Sequence, residues 1–116
     1  MIFVSDVLRA VSLETGVSVQ TILSRKRHDR AVNARHIAMF IAYDVMHESF
    51  PGVGRMFDRD HTSVMYGYYK VLDRMGKNPA FDDMISDIRG ALTGNYETQR
   101  EQEAHWRLRE AQGCEA

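Results

Sequence analysis

A chain of 116 residues, 44% hydrophobic and 27% charged, suffices for one globular domain around one modest core. No apolar run approaches the ~20 residues of a membrane helix, no signal-peptide pattern opens the chain, and Cys114 stands alone. These features argue against membrane, secreted and disulfide-framed classes, and a cytoplasmic location is the expectation. The net charge of −1 argues against a nucleic-acid partner, but residues 1–72 hold nine Lys/Arg against seven Asp/Glu, and residues 73–116 hold six against nine. Arg25, Lys26, Arg27 and Arg30 crowd into six positions, the local patch that phosphate binding requires.

In chain order, Ser5 is placed to cap a first helix with Val7, Leu8, Val11 and Leu13 inward, ending at Gly16. Ser18 caps a short helix through Ser24, with Val19, Ile22 and Leu23 inward. Residues 25–30 form a basic connector. From residue 31 to about 46, Ile37, Ala38, Ile41, Ala42 and Val45 make a wide apolar stripe, the mark of a central core helix. Its polar side carries Asn33, Arg35, His36 and Tyr43.

A turn at 46–49 leads to a short helix over 50–57, with Pro51 in its first turn, where a missing N–H costs nothing. Asp58 or Asp60 is positioned to cap a longer helix, in which Val64, Met65, Tyr68, Val71, Leu72 and Met75 recur at three- and four-residue intervals. Residues 76–79 break it, and Pro79 opens a last helix through about Leu92, with Phe81, Met84, Ile85, Ile88 and Leu92 on one face and Gly94 closing it. The pattern predicts an all-α fold, a six- or seven-helix cluster with a helix-turn-helix at about 50–75. Residues 1–94 form the domain, and 95–116 a polar tail, frayed or disordered, in which Trp106, with the acidic C-terminal half, suits a grip on a protein partner, Leu108 and Tyr96 being its other large apolar residues.

A short helix, a tight turn and a longer helix tipped with Arg-Asp-His-Thr suit a reader of double-stranded DNA. In a major groove Asp60 can accept from a cytosine amino group, and His61 can donate or accept at a base or phosphate. The Thr62 methyl can meet a thymine methyl, and Ser63 suits a phosphate oxygen. Taken alone, Asp60 and Thr62 could serve only as helix caps, and residues 25–30 only as a solvated connector. Tyr66, Tyr68 and Tyr69 raise the possibility of a strand-cleaving nucleophile, but the pattern turns Tyr68 inward and offers no metal-binding cluster. His28, His36, His47, His61 and His105 lack paired ligand spacing, and no Gly-rich loop ends in Gly-Lys-Ser/Thr. Neither an enzyme, a metal, a cofactor nor a nucleotide is expected.

The block Arg59-Asp60-His61-Thr62-Ser63-Val64 resembles the signature of the C-terminal DNA-binding domain of DnaA, the bacterial replication initiator. Residues 19–27 and 35–39 fall at similar spacing, so the resemblance covers roughly residues 4–75 and fades toward Leu92. It implies base contacts by Asp60, His61 and Thr62, a minor-groove contact by Arg27, and a DNA contact by Pro51. It also implies phosphate contacts by Arg25, Lys26, Arg30, Arg35, Arg59 and Ser63. Phe50, beside Pro51, either touches DNA or joins the core.

Several positions depart from the family pattern: Asp58 stands alone where Gly-Gly is usual, Tyr43 and Asp29 replace basic residues, and Asn33-Ala34 replaces Arg-Pro. Each removes or opposes a phosphate contact, so weaker or altered binding is expected. The expected function is sequence-specific binding at DnaA-box-like sites by a free-standing domain, regulating replication or transcription without a nucleotide. The alternative is a protein-interaction module that keeps the fold with weakened DNA binding.

Overall fold

The computed structural model describes residues 1–94, which form six α-helices without a strand among them. Expectations for Trp106, Leu108, Cys114 and the rest of 95–116 lie outside the described residues. No helix among those described is long and apolar enough to cross a membrane.

Helix α1 (Val4–Thr15) starts just ahead of the expected Ser5 cap, because the Asp6 carboxylate reaches back to accept from the Phe3 N–H at 2.9 Å. Gly16, at φ 74°, ends it in the left-handed conformation. Val7, Leu8 and Val11 are buried, but Leu13 is 81% exposed. Leu13 lies about 200° round the helix from Val11, on the opposite face. Ser18 caps α2 (Val19–Leu23), accepting from the Thr21 N–H at 3.1 Å. A five-residue helix has one face to bury, and Ile22 takes it, leaving Val19 and Leu23 in contact with solvent.

Helix α3 (Asp29–Met46) is the hub, touching each of the other five. It begins two residues ahead of the expected start, where His28 Nδ1 accepts from the Ala31 N–H at 3.2 Å. Residues 37–42 are buried all round, as a helix enclosed by others must be. Ala31, Ala34, Ala38 and Ala42 recur every three or four positions, giving short side chains where neighbours close in.

Helices α4 (Phe50–Phe57) and α5 (His61–Lys77) form the helix-turn-helix. Val53 and Phe57 of α4, and Val64, Gly67 and Val71 of α5, are buried. Leu72, expected inward, is 44% exposed, because the buried face of α5 is narrower than its apolar pattern. Asn78 closes α5 and caps α6 (Pro79–Thr93), accepting from the Phe81 N–H at 3.1 Å. Helix α6 buries Phe81, Ile85 and Ile88, and the Arg89–Asp44 ion pair at 3.0 Å ties it to α3.

Candidate nucleic-acid interface

The turn between α4 and α5 is three residues long and closes by a defined hydrogen-bond pattern. Asp58 takes the left-handed conformation (φ 53°, ψ 52°), and the next residue, Arg59, donates its N–H to the Gly54 carbonyl at 2.8 Å. This is the Schellman closure of a helix, with aspartate where glycine is usual. The turn then runs so close over α4 that a Cβ at Gly54 would lie 2.5 Å from the Arg59 carbonyl oxygen. Gly54 is thus the residue that lets the two helices meet.

The α5 tip projects from this turn. Asp60, His61, Thr62 and Ser63 are all exposed, while Val64 behind them is fully buried and anchors the helix. Asp60 holds the N-cap position by backbone conformation, but its carboxylate accepts from the Thr62 hydroxyl instead of capping a first-turn N–H. That hydroxyl holds the Asp60 carboxyl below the usual carboxylate range. His61 Nδ1 stands 3.5 Å from the other Asp60 oxygen. Asp60 and Thr62 therefore orient one another at the tip, with His61 beside them.

The basic connector is held against this turn. Ser24 offers its carbonyl to two guanidinium groups, Arg35 at 2.7 Å and Arg59 at 2.6 Å. Arg35 also donates to the Ile22 carbonyl at 2.8 Å and the Lys26 carbonyl at 3.1 Å. Arg25 donates to the Asp58 carboxylate at 2.8 Å. Residues 24–26 and the turn at 58–60 are thus bound into one body.

This geometry corrects the reading of Arg35. Expected on the outer face of α3 as a phosphate contact, it is 7% exposed and spends its donors on the carbonyls of residues 22, 24 and 26. Helix α2 and the connector cover the side that helical periodicity alone leaves open. Burial, then the charges of Arg59 and Arg25, lower the Arg35 pKa, so the three guanidinium groups share one positive field. Arg59 is half-buried and likewise bound inward, to the carbonyls of Ser24, Phe57 and Asp58.

The remaining candidates lie on the surface. Arg27 is exposed between two anchored points, the Lys26 carbonyl and the His28 cap. Lys26 is exposed beside it. Arg30 sits in the first turn of α3 with its guanidinium near Gly16, toward the end of α1. Pro51 is exposed in the first turn of α4. Phe50 belongs to an aromatic cluster, stacked on Tyr43 with ring centroids 4.4 Å apart and edge-on to Tyr68. Tyr43 is therefore a packing residue, and Tyr66 and Tyr69 are the exposed tyrosines of α5.

A groove lined by Arg35, His36, Met39, Arg59, Thr62, Ser63 and Tyr66 runs between α3 and the α5 tip. His36 forms its floor beside Gly67, where a Cβ would lie 2.8 Å from the imidazole, and meets Tyr66 edge-on. Burial, followed by Arg35 and Lys70, pushes the His36 pKa below its ordinary 6.5. A histidine whose folded pKa is depressed contributes stability above the unfolded pKa and loses it as pH falls through the folded one. Thermal melts should therefore show the melting temperature dropping as pH falls below about 6.5 in the wild type, with a smaller drop for His36→Gln. Equal pH profiles would remove His36 from the account.

Sequence reasoning missed Gly54, Gly67, the Ser24 carbonyl and the Arg25–Asp58 pair. The glycines were visible as interruptions of helical patterns, a sign of close approach. The pair, 33 positions apart, left no local signal.

Residues 4–71 match the family described as bacterial dnaA protein helix-turn-helix. Among curated relatives, the chromosomal replication initiator protein DnaA of Deinococcus radiodurans is 30% identical over 93 residues, 80% of this chain and 20% of that protein. The corresponding protein of Bradyrhizobium sp. (strain ORS 278) is 33% identical over 90 residues, 77% of this chain and 19% of its own length. The chain thus spans about a fifth of the curated relatives it matches. With 68 of the 116 residues inside the matched span, and the connector, α4, the turn and most of α5 within it, the chain belongs to the bacterial DnaA helix-turn-helix family.

Proposed function

We propose that this protein binds double-stranded DNA sequence-specifically at DnaA-box-like sites and so regulates replication or transcription. Helix α5 enters the major groove with Asp60, His61 and Thr62 facing base edges and Ser63 a phosphate. Arg27 reaches the adjacent minor groove, whose negative potential attracts a guanidinium. Arg25, Lys26 and Arg30 contact phosphates, and Pro51 meets a base near the turn. Arg35 and Arg59 act as braces that set the spacing between the two DNA-reading segments.

The observation that carries this reading is the juncture at Ser24. Two guanidinium groups, at 2.7 and 2.6 Å, fasten the cationic connector to the turn that aims the α5 tip. A major-groove element and a minor-groove arm must keep a fixed separation to read one site. A protein-interaction module has no need of that coupling.

The test is fluorescence anisotropy with duplexes carrying a TTATCCACA-type box or a scrambled box, over a range of salt. The wild type should prefer the box, with a salt dependence that reflects several phosphate contacts. His61→Ala or Thr62→Ala should lose about 1–3 kcal/mol on the box and little on the scrambled duplex. Equal losses on both duplexes would remove that residue from base reading. No retention of any duplex at low salt would refute the function.

A further inference from the structure

We propose that Asp58 sets the protein's affinity for DNA by competing with a phosphate for Arg25. The inference rests on the DNA-binding reading above. Arg25 Nη2 donates to Asp58 Oδ2 at 2.8 Å, and the two side chains are 72% and 92% exposed. Packing does not hold the pair together, and an exposed pair of this kind adds little to stability. A phosphate oxygen from solvent can replace the carboxylate, because both are anionic acceptors for a guanidinium.

The backbone that carries the carboxylate is nonetheless fixed. Asp58 is the left-handed residue that closes α4, and the Arg59 N–H to Gly54 carbonyl bond locks the backbone on its far side. A closed turn keeps this side chain within reach of Arg25 after each opening of the pair. The neighbouring carboxylate, Asp60, is engaged by the Thr62 hydroxyl, so Asp58 is the acid that meets Arg25.

On DNA the exchange has two consequences. Arg25 leaves Asp58 for a phosphate, and the released carboxylate then faces the negative backbone. Both effects weaken binding to every duplex alike, because phosphates carry no sequence information. They also make the salt dependence shallower, since an anion left at the interface offsets one phosphate neutralisation.

Asp58→Asn and Asp58→Gly remove the charge and both tolerate the left-handed backbone. In anisotropy titrations, both should bind box and scrambled duplexes about fivefold tighter, the upper end for one exposed ion pair. The slope of log affinity against log salt should steepen by up to about one unit. In an Arg25→Ala background, Asp58→Asn should gain much less, because only the repulsion between the carboxylate and the DNA backbone is then removed.

Unchanged or weaker binding by both single variants would overturn the inference and make Asp58 a positioning residue for Arg25. A full gain that survives without Arg25 would also overturn it, leaving general repulsion in place of competition. If the wild type binds no duplex at low salt, the DNA-binding reading falls and this inference falls with it.

Discussion

Arg35→Met should cost about 3 kcal/mol of folding stability, because a charged donor now serves one buried and two part-buried carbonyls that the thioether cannot satisfy. The side chain is 7% exposed and makes bonds of 2.8, 2.7 and 3.1 Å to the carbonyls of Ile22, Ser24 and Lys26. Methionine keeps most of the volume, so the loss reports hydrogen bonding more than cavity formation. For a domain of this size the melting temperature should fall on the order of 12–24 °C. Below that temperature the variant should remain helical but bind box DNA more weakly, since residues 24–26 lose one of their anchors. Arg35→Lys should recover only part of either loss, because one ammonium cannot serve three carbonyls spread over five residues. A methionine variant that melts with the wild type would show that water replaces the guanidinium at no cost.

Arg35 also shows what a sequence pattern can and cannot carry. Helical periodicity correctly places Ile37, Ala38, Ile41 and Ala42 inward, but it leaves out Met39 and Phe40 between them, which are buried as well. It describes one helix against solvent, however, and cannot say that α2 and the connector cover the opposite side. The same limit explains Val19, Leu23 and Leu72, apolar residues in periodic positions that neighbours cover only in part, whereas Leu13 falls off the periodic face altogether. Helix ends were more legible, because the signals at Ser18, Gly16, Pro79 and Gly94 act within a few residues of themselves.

The candidate site divides along similar lines. The α5 tip could be located from its residues, since Asp60, His61, Thr62 and Ser63 precede a buried Val64 at a helix start. The connector was legible as a run of charge, but where each guanidinium points was not. Arg25 turns to Asp58, Arg30 toward Gly16, Arg35 into the interior, and Arg59 onto its own turn. Those directions follow from tertiary neighbours up to 35 positions away, and no local rule contains them.

Gly54→Ala should destabilise the protein by about 2 kcal/mol, the balance of two opposed effects. Alanine is favoured over glycine inside a helix by about 1 kcal/mol. Overpacking costs about 1–3 kcal/mol, and the upper end applies where the obstructing atom cannot rotate away. Here the new Cβ would lie 2.5 Å from the Arg59 carbonyl oxygen, a backbone atom fixed by the bond from the Arg59 N–H to the Gly54 carbonyl. Relief requires the turn to lift from α4, which carries Asp58 and Arg59 away from Arg25 and Ser24 and tilts the α5 tip. The melting temperature should drop on the order of 8–16 °C, and box DNA should lose more affinity than a scrambled duplex. Gly76→Ala supplies the contrast, since nothing lies within 4 Å of a Cβ there. Free of the clash, it should gain about 0.5–1 kcal/mol from propensity and bind DNA as before. If both alanine variants were stabilised, the close approach at Gly54 would not be what holds the helix-turn-helix in register.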